Sequence, residues 1–283
     1  MDGTNGTPPA LTQAYMKMLN KVPEITIFFW IIKVLATTVG ETAADFLSTT
    51  LHLGLVTTSY VMSAVFLIAL FIQLRSKKYI PSIYWTVVVF ISVVGTLISD
   101  NLVDNLGISL TTTTILFGSI LAVVFATWWL SEKTLSVHTI STTKRELFYW
   151  AAILFTFALG TSAGDLVSEA SGLGYALSAF MFAGLIGLTA FAYYAFKING
   201  VLAFWIAYIL TRPLGASMGD LLSQPVTAGG LGLGTSITSF VFLVTIVGLV
   251  VYLTISGRDR TAVAGHLEKP TARRRDEEAL EPI

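Results

Sequence analysis

The chain has 283 residues, of which 54% are hydrophobic and 12% charged, and a formal net charge of zero; its mean hydropathy is +0.75. That is too apolar for a soluble domain of this length, and without a charge excess nothing points to nucleic acid or to an acidic partner. The absence of cysteine excludes disulfides, thiolate metal sites and cysteine nucleophiles, and three scattered histidines (His52, His138 and His266) argue against an imidazole-built zinc or haem site.

Taken in chain order, the N-terminal residues lack the basic, apolar and small-residue succession of a cleaved signal, so the first apolar stretch is expected to stay in the protein. A helix needs roughly 20 mostly apolar residues to cross a hydrocarbon core. Eight such stretches follow, at about 24–48, 56–74, 80–104, 110–131, 147–169, 175–196, 199–222 and 236–256. The expected organisation is an N-terminal segment over 1–21, an eight-helix transmembrane domain over 22–256 and a C-terminal tail over 257–283. The tail mixes both charge signs without apolar periodicity, which reads as solvated and disordered, with Arg273, Arg274 and Arg275 able to touch anionic lipid.

Outside the spans, basic residues fall at Lys17, Lys21, Arg75, Lys77, Lys78, Lys133, Lys144, Arg145, Lys197 and in the tail, always before odd helices or after even ones. The intervening connections hold no Lys or Arg. By the positive-inside rule both termini are cytoplasmic and every odd helix runs outward. The expected product is a multi-pass protein of a bacterial cytoplasmic membrane.

A repeat runs through the spans. Trp30, Trp85, Trp150 and Trp205 each follow an aromatic residue (Phe29, Tyr84, Tyr149, Phe204). Each is followed at +10 by Gly40, Gly95, Gly160 or Gly215, and at +15 by Asp45, Asp100, Asp165 or Asp220. The residue before the aspartate is always small: Ala44, Ser99, Gly164, Gly219. The copies are spaced by 55, 65 and 55 residues, the longer step being absorbed by the loop from Glu132 to Glu146. The fold class is therefore all-α, with four tandem parallel two-helix repeats at about 24–75, 79–131, 146–197 and 199–256, arranged as a pseudo-fourfold ring or as two pairs.

On this pattern the chain resembles a family of bacterial integral, membrane-anchored proteins with four tandem two-helix, tryptophan-containing repeats of unknown function. The resemblance covers about 22–256 and implies the fold without an activity.

The residues themselves carry the functional reading. Ten residues rise about 15 Å and fifteen about 22 Å along a helix, so the tryptophans lie toward one side of the bilayer and the aspartates toward the other. The tryptophans read as an interfacial aromatic belt or as repeat packing. The glycines read as close-packing positions between helices in lipid. Intramembrane carboxylates are costly and mark functional sites by default. Beside the four aspartates stand Glu41, Asp104 and Glu169, each one turn from the aspartate of its own repeat, against two intramembrane bases, Lys33 and Arg212.

Each aspartate sits near the negative end of its helix dipole, so a cation, protons or the starts of the even helices must compensate. Carboxylates and hydroxyls are hard ligands that suit manganese, magnesium or calcium. Crowded carboxylates titrate as a unit, which makes proton-for-cation exchange chemically natural.

The other reading places the aspartates at the headgroups, where they cap helices. Lys33 stands in a column otherwise filled by Val88, Ile153 and Tyr208, and Arg212 in one filled by Thr37, Ser92 and Phe157. Arg212 is about 12 Å along the helix from Asp220, so it is expected to reach a carboxylate on a neighbouring helix as a counter-ion or gate, with Pro213 able to kink its helix.

The leading expectation is a secondary transporter that exports a hard divalent cation such as manganese in exchange for protons. The alternatives are an organic-cation transporter and a structural or sensory membrane protein. No G-x-S-x-G, H-E-x-x-H or Walker motif is present, so no enzyme and no covalently bound cofactor is expected. The expected partners are the lipid bilayer, a small cation and protons, with a homo-oligomer left open.

Overall fold

The computed structural model describes residues 20–259. It contains eight long helices: α1 Ile27–Asp45, α2 Leu55–Arg75, α3 Pro81–Asp100, α4 Leu110–Glu132, α5 Thr143–Asp165, α6 Tyr175–Phe196, α7 Gly200–Ser223 and α8 Thr235–Ser256. All eight are long and apolar enough to cross a membrane. Local chemistry sets their starts. Pro81 opens α3, where its missing N–H costs nothing. Ser109, Thr142 and Asn199 cap α4, α5 and α7 by accepting from backbone N–H groups. Helices α2, α6 and α8 follow Gly54, Gly174 and Gly234, whose φ values of 73°, 78° and 78° suit glycine.

The odd helices form a closed inner ring in the order α1, α3, α5, α7 and back to α1. Within their apolar windows 56–67% of residues are buried, against 17–22% for the even helices, which form an outer, apolar and largely exposed layer. Each repeat is an up-down hairpin in topology but not in packing. The outer helix moves one place around the ring: α2 packs on α3, α4 on α5, α6 on α7, and α8 closes onto α1. The ring therefore closes only when all four repeats are present.

Two sets of contacts recur at each inner interface. A Cβ added at Gly40 would overlap Ser92, one at Gly95 would overlap Phe157, one at Gly160 would overlap Arg212 and one at Gly215 would overlap Thr37. Each glycine thus receives the residue seven positions after the tryptophan of the next repeat, and the last receives that of the first. In lipid, where no hydrophobic effect joins helices, such close approach supplies the dispersion contact that does.

The aromatic residue before each tryptophan likewise meets the tryptophan of the next repeat: Phe29–Trp85 at 5.7 Å, Tyr84–Trp150 at 5.5 Å, Tyr149–Trp205 at 6.3 Å and Phe204–Trp30 at 5.8 Å between ring centroids. Pairs of this kind contribute about 0.5–1.5 kcal/mol each beyond the area they bury. Of the two roles expected for the tryptophans, these contacts are those of repeat packing. Trp85, Trp150 and Trp205 are buried and Trp30 partly so, and together with their neighbours they form a collar between inner helices.

The end that carries residues 20 and 259 is tied by polar contacts. Lys21 Nζ donates to Glu146 Oε2 at 2.7 Å and to the Leu74 carbonyl at 3.0 Å, while Gln73 donates to Glu146 Oε1 at 2.9 Å. Tyr79 donates to Asp259 at 2.5 Å. Burial and the Asp259 carboxylate push the Tyr79 phenol well above its ordinary range. Lys21 and Asp259, expected in the terminal segments, pack here against the bundle. Residues 1–19 and 260–283 of these segments, with Arg273 to Arg275, lie outside the described residues.

Candidate functional site

The axis of the ring is filled by layers that can be followed from the collar to the aspartates. In the collar, the Tyr84 and Tyr149 hydroxyls meet at 2.5 Å. Above them Lys33 is fully buried, with Nζ 3.9 Å from the Phe157 ring centroid and 4.3 Å from that of Tyr208. That amine has no hydrogen-bond partner in the structure, and neither does the Tyr208 hydroxyl.

Arg212 comes next, with no exposed side-chain surface. Its guanidinium touches each of the other inner helices. Nη1 donates to the Thr37 carbonyl at 3.3 Å, and Nη2 donates to Glu41 Oε2 at 2.8 Å, both on α1. Nη2 also donates to Thr96 on α3 and, at 2.7 Å, to Thr161 on α5. Glu41, Thr96 and Thr161 occupy the same place in successive repeats, eleven residues after the tryptophan, and Ala216 fills it in the fourth. A ring of three hydrogen-bonding side chains thus receives one guanidinium from the repeat that lacks such a side chain. Arg212 reaches a carboxylate on another helix, namely Glu41. Helix α7 continues through Pro213, which lies against Gly160 and Gly164 of α5.

The four aspartates end this column, and the backbone changes beside them. In repeats one to three the helix passes directly after Asp45, Asp100 and Asp165 into a π-helical turn, over Phe46–Thr50, Asn101–Asn105 and Leu166–Ala170. Such turns are short-lived departures from α geometry that frequently mark functional sites. In the fourth repeat α7 ends at Ser223, ahead of Pro225, and Gln224 donates to Asp45 Oδ2 at 3.4 Å.

Glu41 and Asp220 are buried and Asp45, Asp100 and Asp165 half-buried. Carboxylate oxygens of Glu41, Asp165 and Asp220 all lie within 4.8 Å of one another. Asp45 is near enough to Asp100 and Asp220, and Asp100 to Asp165, for their charges to interact.

Three oxygens spaced evenly around one ion stand at most about 4.0–4.5 Å apart for a calcium-sized ion with bonds of about 2.3–2.6 Å, and about 3.5 Å apart for a magnesium-sized one. The triad can therefore share one hard cation after contraction by a few tenths of an ångström. Asp104 and Glu169 are exposed at the rim, where Glu169 accepts from Tyr175 at 3.0 Å. A wider π turn separates them from their aspartates where an α turn would have placed them on one face.

Sequence reasoning singled out the charged residues here but not Thr37, Thr96, Thr161, Tyr208 or Gln224 as their partners. Aligning the position eleven after each tryptophan would have shown Glu41, Thr96 and Thr161 as one set.

Neither the curated proteins nor the solved structures include a match to this chain. The repeat itself is matched four times, over residues 28–79, 83–134, 148–199 and 203–259, each copy beginning two residues before its tryptophan. The chain, an all-helical, membrane-type protein of four tandem repeats, belongs to the family described as Repeat of Unknown Function (DUF347).

Proposed function

We propose that this protein is a secondary transporter for a hard divalent cation, manganese(II) being representative, exchanged for protons through the aspartate layer. The observation that carries the reading is the convergence of Glu41, Asp165 and Asp220 on one small volume at the end of the ring axis. Five carboxylates, counting Asp45 and Asp100, face a single guanidinium there, so a divalent ion or protons would supply the missing positive charge.

In this reading Glu41 is the switch. Arg212 holds it when no ion is present; an arriving cation competes for the same carboxylate, releasing the guanidinium that blocks the axis. Arg212, Lys33 and Phe157 are buried between the aspartates and the collar, where the tyrosine pair meets, and this supports reading the described conformation as one closed toward the collar. With the topology inferred from the basic residues, that closed side is the cytoplasmic one. Turnover would require the collar to open while the acidic end narrows.

The test is flux. Purified protein is reconstituted in vesicles holding a manganese-quenched dye, and a pH gradient is imposed. Gradient-dependent manganese entry that is lost in an Asp165→Asn/Asp220→Asn variant, itself eluting and melting normally, is the expected result. Equal flux in the variant, or no flux of Mn²⁺, Mg²⁺ or Ca²⁺ under either gradient direction, contradicts the proposal.

A further inference from the structure

A cavity of about 690 Å³ lies at the other end of the molecule, between α6, α7, the start of α1 and the loop joining α4 to α5. Its size falls within the range of small-molecule sites. That loop, residues 133–142, is where the second and third repeats are spaced ten residues further apart than the others, so the cavity belongs to the part of the chain that breaks the fourfold pattern. The loop is held in place. The Trp205 indole donates to the Leu135 carbonyl at 3.0 Å, and Arg145 bridges Glu132 at 2.8 Å and the Thr139 carbonyl at 3.2 Å. The cavity is therefore pre-formed and does not wait on a ligand to order it.

Its lining is chemically specific. Trp30, Phe204, Tyr193 and Tyr194 supply aromatic rings, and among the described residues Glu24 is its one carboxylate and no Lys or Arg lines it. Among the described residues the Glu24 carboxylate pairs with His138, at 3.8 Å, its backbone N–H donates to the Asp259 carbonyl at 3.0 Å, and about a third of its side chain remains exposed. Tyr193 and Tyr194 are exposed on the outer, apolar layer, which gives a ligand a route from the bilayer. Aromatic faces with one carboxylate and, among the described residues, no Lys or Arg attract an organic cation, which competes with His138 for Glu24, and the apolar walls accommodate a hydrocarbon body. An anionic headgroup would find no Lys or Arg among the described residues and would meet Glu24 beside His138.

We infer that this cavity binds an alkylammonium group carrying an apolar body, either a free lipophilic amine or the amine headgroup of an ethanolamine phospholipid. The site is remote from the aspartate layer and stands whether or not that layer binds a metal.

The test is equilibrium dialysis of radiolabelled tetrabutylammonium against the full chain in maltoside micelles, which contain no ammonium group. Saturable binding of one equivalent is expected, weakened at least tenfold by Glu24→Gln and several-fold by Trp30→Leu. Glu24 stands at the rim, so the first variant is expected to fold even if the second does not. Adding phosphatidylethanolamine, with phosphatidylglycerol as the control lipid, identifies the source: selective competition assigns the site to the lipid headgroup, and its absence assigns it to a free amine. No saturable binding, or undiminished binding in a folded Glu24→Gln variant, overturns the inference.

Discussion

Replacing Arg212 with methionine removes the only guanidinium from the ring axis while keeping a flexible apolar side chain of comparable length. The consequence can be worked from its partners. Thr96 and Thr161 each have a fallback acceptor on their own helix, the Ser92 and Phe157 carbonyls at 3.1 and 3.2 Å, so their hydroxyls lose little. Glu41 has no such fallback: its side chain is 8% exposed and Arg212 is its ion-pair partner. Breaking a buried pair from one side costs about 3–5 kcal/mol, most of it the penalty for leaving the other charge unpaired. At about 2–4 °C per kcal/mol for a domain of this size, the melting temperature should fall by about 6–20 °C.

A second variant isolates the cause. Arg212→Met combined with Glu41→Met removes both charges and should cost only about 1–2 kcal/mol, less than Arg212→Met alone, giving a coupling of a few kcal/mol. Thermal unfolding in micelles, followed by tryptophan fluorescence, reads both variants and Glu41→Met. If the double variant is as unstable as the sum of the singles, Arg212 does not act through Glu41 and the reasoning fails.

Glycine positions should divide sharply. Gly95→Ala and Gly215→Ala force side chains into the neighbouring inner helix and should lower stability by about 1–3 kcal/mol. Gly187→Ala on α6, where an added Cβ meets nothing within 4 Å, should be neutral or stabilising by up to about 1 kcal/mol; melting curves decide, and equal effects at the two kinds of site would refute the close-packed ring. Lys33→Met should raise stability by about 1–2 kcal/mol, because a buried amine without a hydrogen-bond partner costs more than its aromatic contacts return. A fall in melting temperature would show that Lys33 has a stabilising role the packing does not reveal. Glu146→Leu should cost about 3–5 kcal/mol by stranding Lys21, whose side chain is 8% exposed; a change below about 1 kcal/mol would show the tie at that end to be dispensable.

What the sequence reveals of this molecule follows from which residues are asymmetric. The inner helices carry tryptophan, glycine and aspartate at fixed spacing, so their number, direction and repetition can be read directly. The outer helices are apolar all round, and nothing in α2, α4, α6 or α8 marks which neighbour they face. That they pack on the next repeat and not on their own is a property of the closed ring, visible only in three dimensions. The tryptophans left two roles open because basic residues precede them by only a few positions, which fits a headgroup depth as well as packing between repeats. Lys21 does not mark a free border but folds under the bundle to Glu146.

The aspartate column was legible and its neighbours were not. Three π turns shift the residues after Asp45, Asp100 and Asp165 by part of a turn, so Asp104 and Glu169 move to the rim while Glu41, four residues before its aspartate on regular α-helix, stays at the axis. Arg212's need for a partner on another helix follows from its distance to Asp220. Which carboxylate answers depends on ring order, which the sequence leaves open between a ring and two pairs.

The most direct test of the central claim is calorimetric titration of the purified protein with Mn²⁺ over a series of pH values, beside a variant with Asp45, Asp100, Asp165 and Asp220 all changed to asparagine and shown to elute normally. The aspartate layer, read as a cation site, predicts saturable binding that weakens as pH falls, because protons compete for the same carboxylates, and that is absent in the variant. Binding that is absent at every pH, or that persists unchanged in the variant, would contradict it and leave the four aspartates as part of the architecture.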